Sequence, residues 1–595
     1  MDPLSSQAID VSRIDLAIIG VYLVGIVLAG VYLTRLASRN IDSYFLGGRK
    51  MPWWLLGLSG TASYFDVTGV MWTIAFFYIM GQRFLWIQWE WGFITMACFA
   101  GFMGKWLRRS KVMTGAEWMV IRFGDGTAGQ FARTAYAVMA VVISVAFIGF
   151  AEYGCGQFFH IFVPRFSPHT LAVTLMAFTA VYTITGALSG VVLTGMIQFF
   201  LILLGSVILI VMALGMSSYD LLAGAVPPEW FGFAPIWHWE HLDKWEMTTG
   251  YSLFLLLTIV WVTKGLFLSL GGPQQLYDMQ RFLAARSPRE AGKAGMLWGV
   301  AMTPMFMVSA AVGVIGLIKW GGNLPHPEKL YPVVIGTMLP VGVKGLVLAG
   351  LLSAFMSTFS STVNAGASYL VRDGYQQFLR PRAGSRELIW ASRGASLLTI
   401  IAGIVVGMQA RHIDTIFAWI MIVLGTAVLM PNVFRWFWWR FNGWGYAVGT
   451  LFGVGSAIAS AVWFADVPVY VSFFVLLAIS VTTCLVASLL TPPTELDTLK
   501  DFYRRIRPPG LWGPVRAAVL SEDPDTPVDS FAKDLLSAVI AGAGLHCLFM
   551  SSCYACTKQW AAFVWAFVAV ALSAVILYFT WYKNLPEESE ELPRK

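Results

Sequence analysis

Charged residues are scarce in this sequence, at 12% of 595 positions, whereas a soluble globular protein carries roughly 25%. Hydrophobic residues make up 57% of the chain. This balance excludes an ordinary soluble domain. It predicts instead a polytopic membrane protein that lies in the lipid bilayer, and the 26 Trp fit the aromatic belts of such a protein.

Cysteine and histidine are also few, with six Cys and seven His scattered along the chain. The Cys residues form no disulfide framework, and the His residues have neither metal-ligand nor catalytic-triad spacing. These absences argue against an enzyme. The net charge of +7 comes from short basic loops, so we expect no nucleic-acid partner.

Long apolar runs are abundant, and a bilayer core needs about 20 apolar residues per helix. The all-α reading predicts about fifteen spans, near 14–35, 51–80, 84–104, 128–163, 168–186, 190–216, 250–276, 294–319, 342–370, 389–409, 412–437, 443–466, 470–491, 534–551 and 558–582. If the spans alternate, the basic loops share one side, which the positive-inside rule makes the cytoplasm. The prediction is a plasma-membrane protein with its N-terminus outside and its C-terminus inside.

Two of the predicted spans are interrupted. The first contains "SGTASYFDVTGVMW" (59–72), with Asp66 at its centre, and the second contains "SLGGPQQLYDMQR" (269–281). Interrupted helices at corresponding positions in two halves of a chain indicate an inverted-repeat transporter, whose unwound backbone binds ions. Gly and Pro are also common in membrane helices that have no such role.

Four ionisable residues lie inside apolar runs: Asp66, Glu90, Glu152 and Lys264. Each would cost roughly 3 kcal/mol or more if it faced lipid, so each faces a cavity or a partner. Glu152 and Lys264 are candidates for a charge network, either in the transport pathway or as an ion pair that locks helices together. A bound cation, a proton or a cationic substrate would offset the remaining acidic charge.

A third motif, "LLSAFMSTFSSTVNAGASYL" (351–370), concentrates small polar residues in one span. Hydroxyls three or four residues apart share a helix face. Such a face suits a Na⁺ site, because a hard cation prefers oxygen ligands, and it equally suits close helix packing.

Four segments together resemble the sodium:solute symporter family. They are "YFLGGRKMPWWLLGLSGTAS" (44–63), "MTGAEWMVIRFG" (113–124), "YDMQRFLAARS" (277–287) and "LPVGVKGLVLAGLLSAFMSTFSSTVNAGASYLVRDGY" (339–375). The resemblance implies the leucine-transporter fold, with two inverted five-helix repeats. It also implies that a solute moves with Na⁺ by alternating access.

On this resemblance the chain divides into seven segments. They are an extra N-terminal helix (1–40), a first repeat (41–216), an external loop (217–249), a second repeat (250–440), two additional helices (441–491), a cytoplasmic loop with one surface helix (492–533), and two further helices with an acidic tail (534–595).

The resemblance also implies a sodium site. Its ligands are the carbonyls of Ala62, Phe65 and Ala354 and the hydroxyls of Ser357 and Thr358. A second site of some family members maps to Ser360 and Ser361, but Gly195 stands where that site has an Asp. We therefore expect one Na⁺ per cycle.

The candidate substrate cavity comprises Asp66, Gly69, Glu90, Leu268, Gly271 and Gln275. Glu90 matches a substrate-contacting Glu of the family. Gly69, Leu268 and Val300 lack the polar groups that sugar-carrying members have there. Trp72, Trp86, Trp89 and Trp91 either stack against a solute or lie in a lipid-facing belt.

The sequence thus predicts a symporter that couples Na⁺ to uptake of a small organic solute, such as a sugar, an amino acid or a carboxylate. It predicts no organic cofactor and assigns no oligomeric state. One alternative is proton coupling with Asp66 as the carrier. Another is a non-transporting sensor or channel on the same fold.

Overall fold

The computed structural model describes residues 9, 11–37, 46–88, 93–248, 250–273, 276–409, 425–464 and 467–585. Every regular element within these residues is helical, apart from two isolated β-bridges, Met51–Ala285 and Trp438–Leu511. Of the described helices, ten are long and apolar enough to cross a membrane. The expected all-α membrane architecture is therefore confirmed.

We number the α-helices of nine or more residues in chain order. In the first half they are α1 (Arg13–Ala37), α2 (Trp53–Tyr64), α3 (Val67–Met80), α4 (Gly115–Phe123), α5 (Thr127–His160), α6 (Pro168–Met216) and α7 (Phe254–Gly271). Shorter helical stretches are Phe84–Ile87, Thr95–Cys98, Phe99–Met103, Gly104–Ser110 and Tyr219–Ala223.

The second half contains the remaining helices. They are α8 (Leu276–Ala284), α9 (Pro288–Ala301), α10 (Thr303–Trp320), α11 (Leu330–Met338), α12 (Val343–Tyr369), α13 (Ser385–Gly407), α14 (Leu429–Phe437), α15 (Gly443–Trp463), α16 (Val469–Leu490), α17 (Leu496–Ile506), α18 (Gly513–Glu522), α19 (Phe531–Cys556) and α20 (Trp560–Thr580). A π-helix, Leu370–Leu379, continues α12.

Segment 492–533 holds two helices, α17 and α18, where the sequence predicted one. Leu499, Phe502 and Ile506 are spaced at three and four residues, so they share one face of α17, and all three are buried. The segment therefore packs against the bundle rather than forming a loop with a single surface helix.

The basic loops meet at one side of the bundle, which we call the basic side. Arg108 Nε donates to the carbonyl of Ala285 at 2.5 Å, and Arg133 Nε lies 2.7 Å from Asp373 Oδ1. Met51 N donates to the carbonyl of Ala284, and its own carbonyl accepts from Arg286 N, each at 3.2 Å. The start of α2 is thereby joined to the end of α8.

Segment 217–248 covers the opposite side, which we call the cap side. Trp230 Nε1 donates to the carbonyl of Tyr78 at 3.0 Å, and Trp245 Nε1 donates to the carbonyl of Leu324 at 2.6 Å. These indole hydrogen bonds fix the segment over the ends of α3 and α10. The acidic, aromatic segment is thus an ordered cap.

Helix α6 is continuous over 49 residues and merges the predicted spans 168–186 and 190–216. A straight helix of that length would reach about 74 Å, more than twice the bilayer core of about 30 Å. Helix α5 starts at the basic side and crosses to the cap side, where α6 begins, and α6 also ends at the cap segment. Because both of its ends lie on the cap side, α6 cannot be straight over its whole length. Its arms, Pro168–Val181 and Val191–Met216, correspond to the two predicted spans.

Helix α2 lies at the centre of the described bundle, against α6, α9 and α12. Gly60 makes this close packing feasible, because a Cβ atom there would lie 2.4 Å from the ring of Trp298. Small residues let membrane helices approach each other closely. The packing brings the end of α2 against the small polar face of α12.

Candidate ion and substrate site

The helix that crosses the bundle as α2 and α3 is broken midway, as the sequence predicted. Phe65 has φ −83° and ψ 68°, and Asp66 has φ −89° and ψ 150°, so neither residue is helical. Asp66 Oδ1 accepts a hydrogen bond from Gly69 N at 2.8 Å. Asp66 is therefore the N-cap of α3, a common role for Asp at a helix start.

Helix α12 meets the end of α2 through hydroxyl groups. Thr358 Oγ1 donates to the carbonyl of Ser63 at 2.7 Å and lies 3.3 Å from the carbonyl oxygen of Ala354. Ser357 Oγ lies 3.3 Å from Ser63 Oγ. The last carbonyls of a helix have no intrahelical donors, so the end of α2 presents oxygen atoms to a face of hydroxyls.

The predicted sodium ligands lie on these two helices. Ala62 and Phe65 stand at the end of α2, and Ala354, Ser357 and Thr358 stand on the facing turn of α12. Thr358 is partly buried and the other four are buried. Carbonyl and hydroxyl oxygens are suitable ligands for a hard cation, and unwound carbonyls in broken membrane helices hold Na⁺ in this way.

The two serines of the second sodium site, against which Gly195 argues in the sequence, have different partners. Ser360 Oγ donates to the carbonyl of Ser357 at 3.1 Å, within its own helix. Ser361 Oγ lies 2.9 Å from Ser63 Oγ and accepts from Arg281 Nη2 at 2.9 Å. The structure thus separates the two hydroxyls.

Ser63 and Arg281 were not singled out from the sequence. Ser63 lies within the first interrupted motif, and Arg281 lies within "YDMQRFLAARS". Arg281 is 1% exposed on α8, which follows the second break. A charged residue directly after the second helix break was the available signal, but the direction of α8 after the break is a tertiary property.

A second contact also joins α2 to α8. Tyr64 Oη donates to Asp278 Oδ2 at 2.7 Å, and both side chains are buried. Tyr64 in turn packs edge-on against Trp298, with ring centroids 5.1 Å apart. The halves of both broken helices on the basic side are therefore held together next to the candidate ion site.

Of the predicted substrate residues, the four that the structure describes lie at or beside the two breaks. Asp66 and Gly69 share the capped start of α3. Leu268 packs in an apolar cluster with α14, and the carbonyl of Gly271 accepts hydrogen bonds from Arg435 Nη2 and Trp436 Nε1 at 3.2 and 3.0 Å. Glu90 and Gln275 lie outside the described residues.

The two charged residues proposed as a network have other neighbours. Glu152, fully buried on α5, has Oε1 2.8 Å from His169 Nδ1 at the start of α6. Lys264 Nζ lies over the ring of Trp261, 4.6 Å from its centroid. The pairing of Glu152 with His169 was not anticipated, because a loop separates the two in sequence.

Aromatic side chains line the contact between α3 and α7. Trp72 and Trp261 have ring centroids 6.4 Å apart, and Trp72 also packs on Phe76. Trp72 is 3% exposed, so it is not a lipid-belt residue. Trp86 stacks on Phe233 of the cap segment, whereas Trp89 and Trp91 lie outside the described residues.

Long apolar helices, two of them broken midway, and buried hydroxyls facing the first break are features of a polytopic membrane transporter. The sequence profile described as "Sodium:solute symporter family" matches residues 44–453. The chain belongs to the sodium:solute symporter family. It is therefore a transporter rather than an enzyme, and it couples the transport of a solute to the transport of Na⁺.

Named relatives agree with this assignment. The chain is 27% identical to the sodium/mannose cotransporter of Bos taurus over 463 residues, which cover 70% of this chain and 74% of the relative. It is 25% identical to the sodium/glucose cotransporter of Vibrio parahaemolyticus over 476 residues, 73% and 82% of the two chains.

A solved structure establishes the fold. A Na⁺-coupled sialic acid symporter, in a substrate-bound outward-open state, aligns with a TM-score of 0.65 at 19% identity. The alignment covers 81% of this chain and 99% of that symporter. The chain therefore has the leucine-transporter-like fold that its motifs implied.

Proposed function

We propose that this protein couples inward Na⁺ movement to uptake of a small organic solute by alternating access, with one Na⁺ per cycle. The observation that supports the ion site most directly is the contact between the two helices that supply its ligands. Thr358 Oγ1 donates to the carbonyl of Ser63, at the end of the broken helix, at 2.7 Å.

The proposed Na⁺ ligands are the carbonyls of Ala62, Phe65 and Ala354 with the hydroxyls of Ser357 and Thr358. A hydroxyl that donates its proton keeps two lone pairs, so Thr358 Oγ1 can bind Na⁺ while it bonds to Ser63. Separation of α2 from α12 would divide the ligands and release the ion. The binding energy of Na⁺ would thus be linked to the position of α2.

The proposed topology has inverted repeats at 41–216 and 250–440 and about fifteen spans. The two breaks then occupy equivalent first helices, α2–α3 and α7–α8. We place the basic side in the cytoplasm of a plasma membrane, following the positive-inside rule, with the N-terminus outside and the C-terminus inside. The cap segment then faces the exterior.

The proposed substrate cavity lies beside the breaks and involves Asp66, Gly69, Glu90, Leu268, Gly271 and Gln275. Trp72 and Trp261 supply aromatic faces of the kind that stack against sugar rings. The relatives named above carry mannose and glucose, so sugars are the first solutes to test. Amino acids and carboxylates form the remaining candidate classes.

The ion site is tested by uptake into proteoliposomes with an inward Na⁺ gradient. Thr358→Ala and Ser357→Ala should each weaken the apparent Na⁺ affinity about tenfold or more, because hydrogen bonds and contacts to a charge are worth roughly 1.5–3 kcal/mol. Thr362→Ala and Ser368→Ala are matched controls, since both hydroxyls bond to carbonyls of their own helix. Uptake that is unchanged when K⁺ or choline replaces Na⁺ would contradict the proposal.

The substrate is found by thermal unfolding of the purified protein with sugars, amino acids and carboxylates, each with and without Na⁺. A ligand that binds only the folded state raises the melting temperature by mass action. A true substrate should stabilise the protein more strongly in Na⁺ than in choline. A solute whose effect is equal in both salts is not the coupled substrate.

A further inference from the structure

Arg281 places one nitrogen among four oxygen atoms at the junction of α2, α8 and α12. Its Nη2 atom lies 2.6 Å from Ser63 Oγ and 2.9 Å from Ser361 Oγ. It lies 3.4 Å from both the carbonyl oxygen and the Oγ of Ser59. Because Arg281 is 1% exposed, its positive charge is held inside the bundle by these contacts.

The four oxygens are neutral hydroxyl and carbonyl groups, the ligand types that a hard monovalent cation also takes. We call them the serine cluster: Ser59 O, Ser59 Oγ, Ser63 Oγ and Ser361 Oγ. Helix α6 approaches the same cluster at Gly195, where an added Cβ atom would lie 2.6 Å from Ser59 Oγ. The helix therefore contributes backbone there and no carboxylate.

The serine cluster adjoins the proposed Na⁺ site through Ser63. Its hydroxyl contacts Arg281 on one side and Ser357 Oγ, at 3.3 Å, on the other. Its carbonyl accepts from Thr358. A cation bound by Ser357 and Thr358 would therefore lie close to the guanidinium of Arg281. The two positive charges would then repel each other.

We propose that Arg281 is a tethered cation, a positioning residue that fills the serine cluster so that one Na⁺, and not two, binds beside it. The inference rests on the proposed function, because it takes Na⁺ to bind at Ser357 and Thr358. On this proposal, one positive charge at the junction belongs to Arg281 and the other to the bound Na⁺. Removal of the guanidinium leaves four oxygens that can receive a second Na⁺.

The test is equilibrium binding of ²²Na⁺ to the purified full-length protein, with choline keeping the ionic strength constant. The wild type should bind one Na⁺, and Arg281→Ala should bind two, with a Hill coefficient that rises from about one toward two. Arg281→Lys keeps a positive charge at this position and should bind one. A purely structural role for Arg281 would not change the stoichiometry.

A double variant locates the second ion. Adding Ser361→Ala to Arg281→Ala removes one oxygen of the serine cluster and should abolish the second ion while the first remains. Thr362→Ala, added in the same way, should leave both ions bound. Size-exclusion profiles and melting temperatures show whether each variant is folded.

The outcomes separate this inference from the proposed function. Two Na⁺ in the wild type, or one in both the wild type and a folded Arg281→Ala, would overturn the role of Arg281 alone. If Arg281→Ala does not fold, the wild-type stoichiometry and a folded Arg281→Gln, expected to bind two, decide the matter. A wild type that binds no Na⁺ overturns both proposals.

Discussion

The two helix breaks of this transporter are held by different means. At the first, Phe65 and Asp66 have φ angles of −83° and −89°, which any residue adopts. At the second, Gly272 has φ +107° and ψ −154°, a conformation almost restricted to glycine. The first break thus depends on side-chain contacts, and the second depends on the identity of one residue.

The carbonyl groups at the two breaks differ as well. The carbonyl of Gly271, at the second break, already accepts from Arg435 and Trp436 of α14. The end of α2, at the first break, faces the hydroxyls of Ser357 and Thr358. An ion can engage hydroxyls without displacing charged or indole donors. We therefore expect the first break to exchange its ligands and the second to stay anchored.

The largest effect should come from Gly272→Ala, which forces a Cβ atom into the glycine conformation. It should lower the free energy of unfolding by about 1–3 kcal/mol and leave Na⁺ affinity close to that of the wild type. Chemical denaturation in detergent measures the free energy of unfolding. Gly126→Ala is the control, because its backbone is extended at φ −71° and ψ −179° with no atom within 4 Å of an added Cβ. Equal losses of unfolding free energy in Gly272→Ala and Gly126→Ala would show that the second break does not depend on the glycine conformation.

A smaller effect is expected at Asp66. Asp66→Ala removes the N-cap of α3 and should cost about 1 kcal/mol, whereas Asp66→Asn keeps an oxygen acceptor and should cost little. Both should retain Na⁺-driven uptake if the carboxylate serves as a cap. If a pH gradient drives uptake without Na⁺ and Asp66→Asn abolishes it, the proton-coupled alternative replaces the sodium mechanism.

The smallest effect should come from Trp436→Phe. The substitution removes one of two donors to the carbonyl of Gly271, and Arg435 continues to satisfy that oxygen. We expect a loss of less than about 1 kcal/mol in unfolding free energy and no change in Na⁺ affinity. A fall in Na⁺ affinity as large as that of Thr358→Ala would mean that the second break also controls the ion site.

Local chemistry made much of the fold predictable. Apolar runs predicted the ten described helices that are long enough to cross a membrane. The helix breaks were visible because Asp66 and the Gly271–Pro273 segment are incompatible with a continuous lipid-facing helix. Hydroxyls four residues apart, Ser357 with Ser361 and Thr358 with Thr362, predicted a polar face of α12. The two arms of α6 were likewise visible as separate apolar runs.

The contacts between distant elements were not predictable in this way. Arg281 reaches Ser63 only because α8 turns after the second break toward α2. Glu152 meets His169 because the chain reverses between α5 and α6. Leu268 also packs against α14. Each case depends on the direction of a helix relative to a neighbour, which spacing along one helix does not encode.

The backbone pairing of Met51 with residues 284–286 has a mechanical consequence. It links the start of α2 to the end of α8 by two hydrogen bonds, and the Tyr64–Asp278 bond links the same helices nearer the breaks. Because α2 and α8 are joined at both ends, we expect them to behave as one rigid unit. In the proposed cycle we therefore expect the two half-helices to move together when the basic side opens.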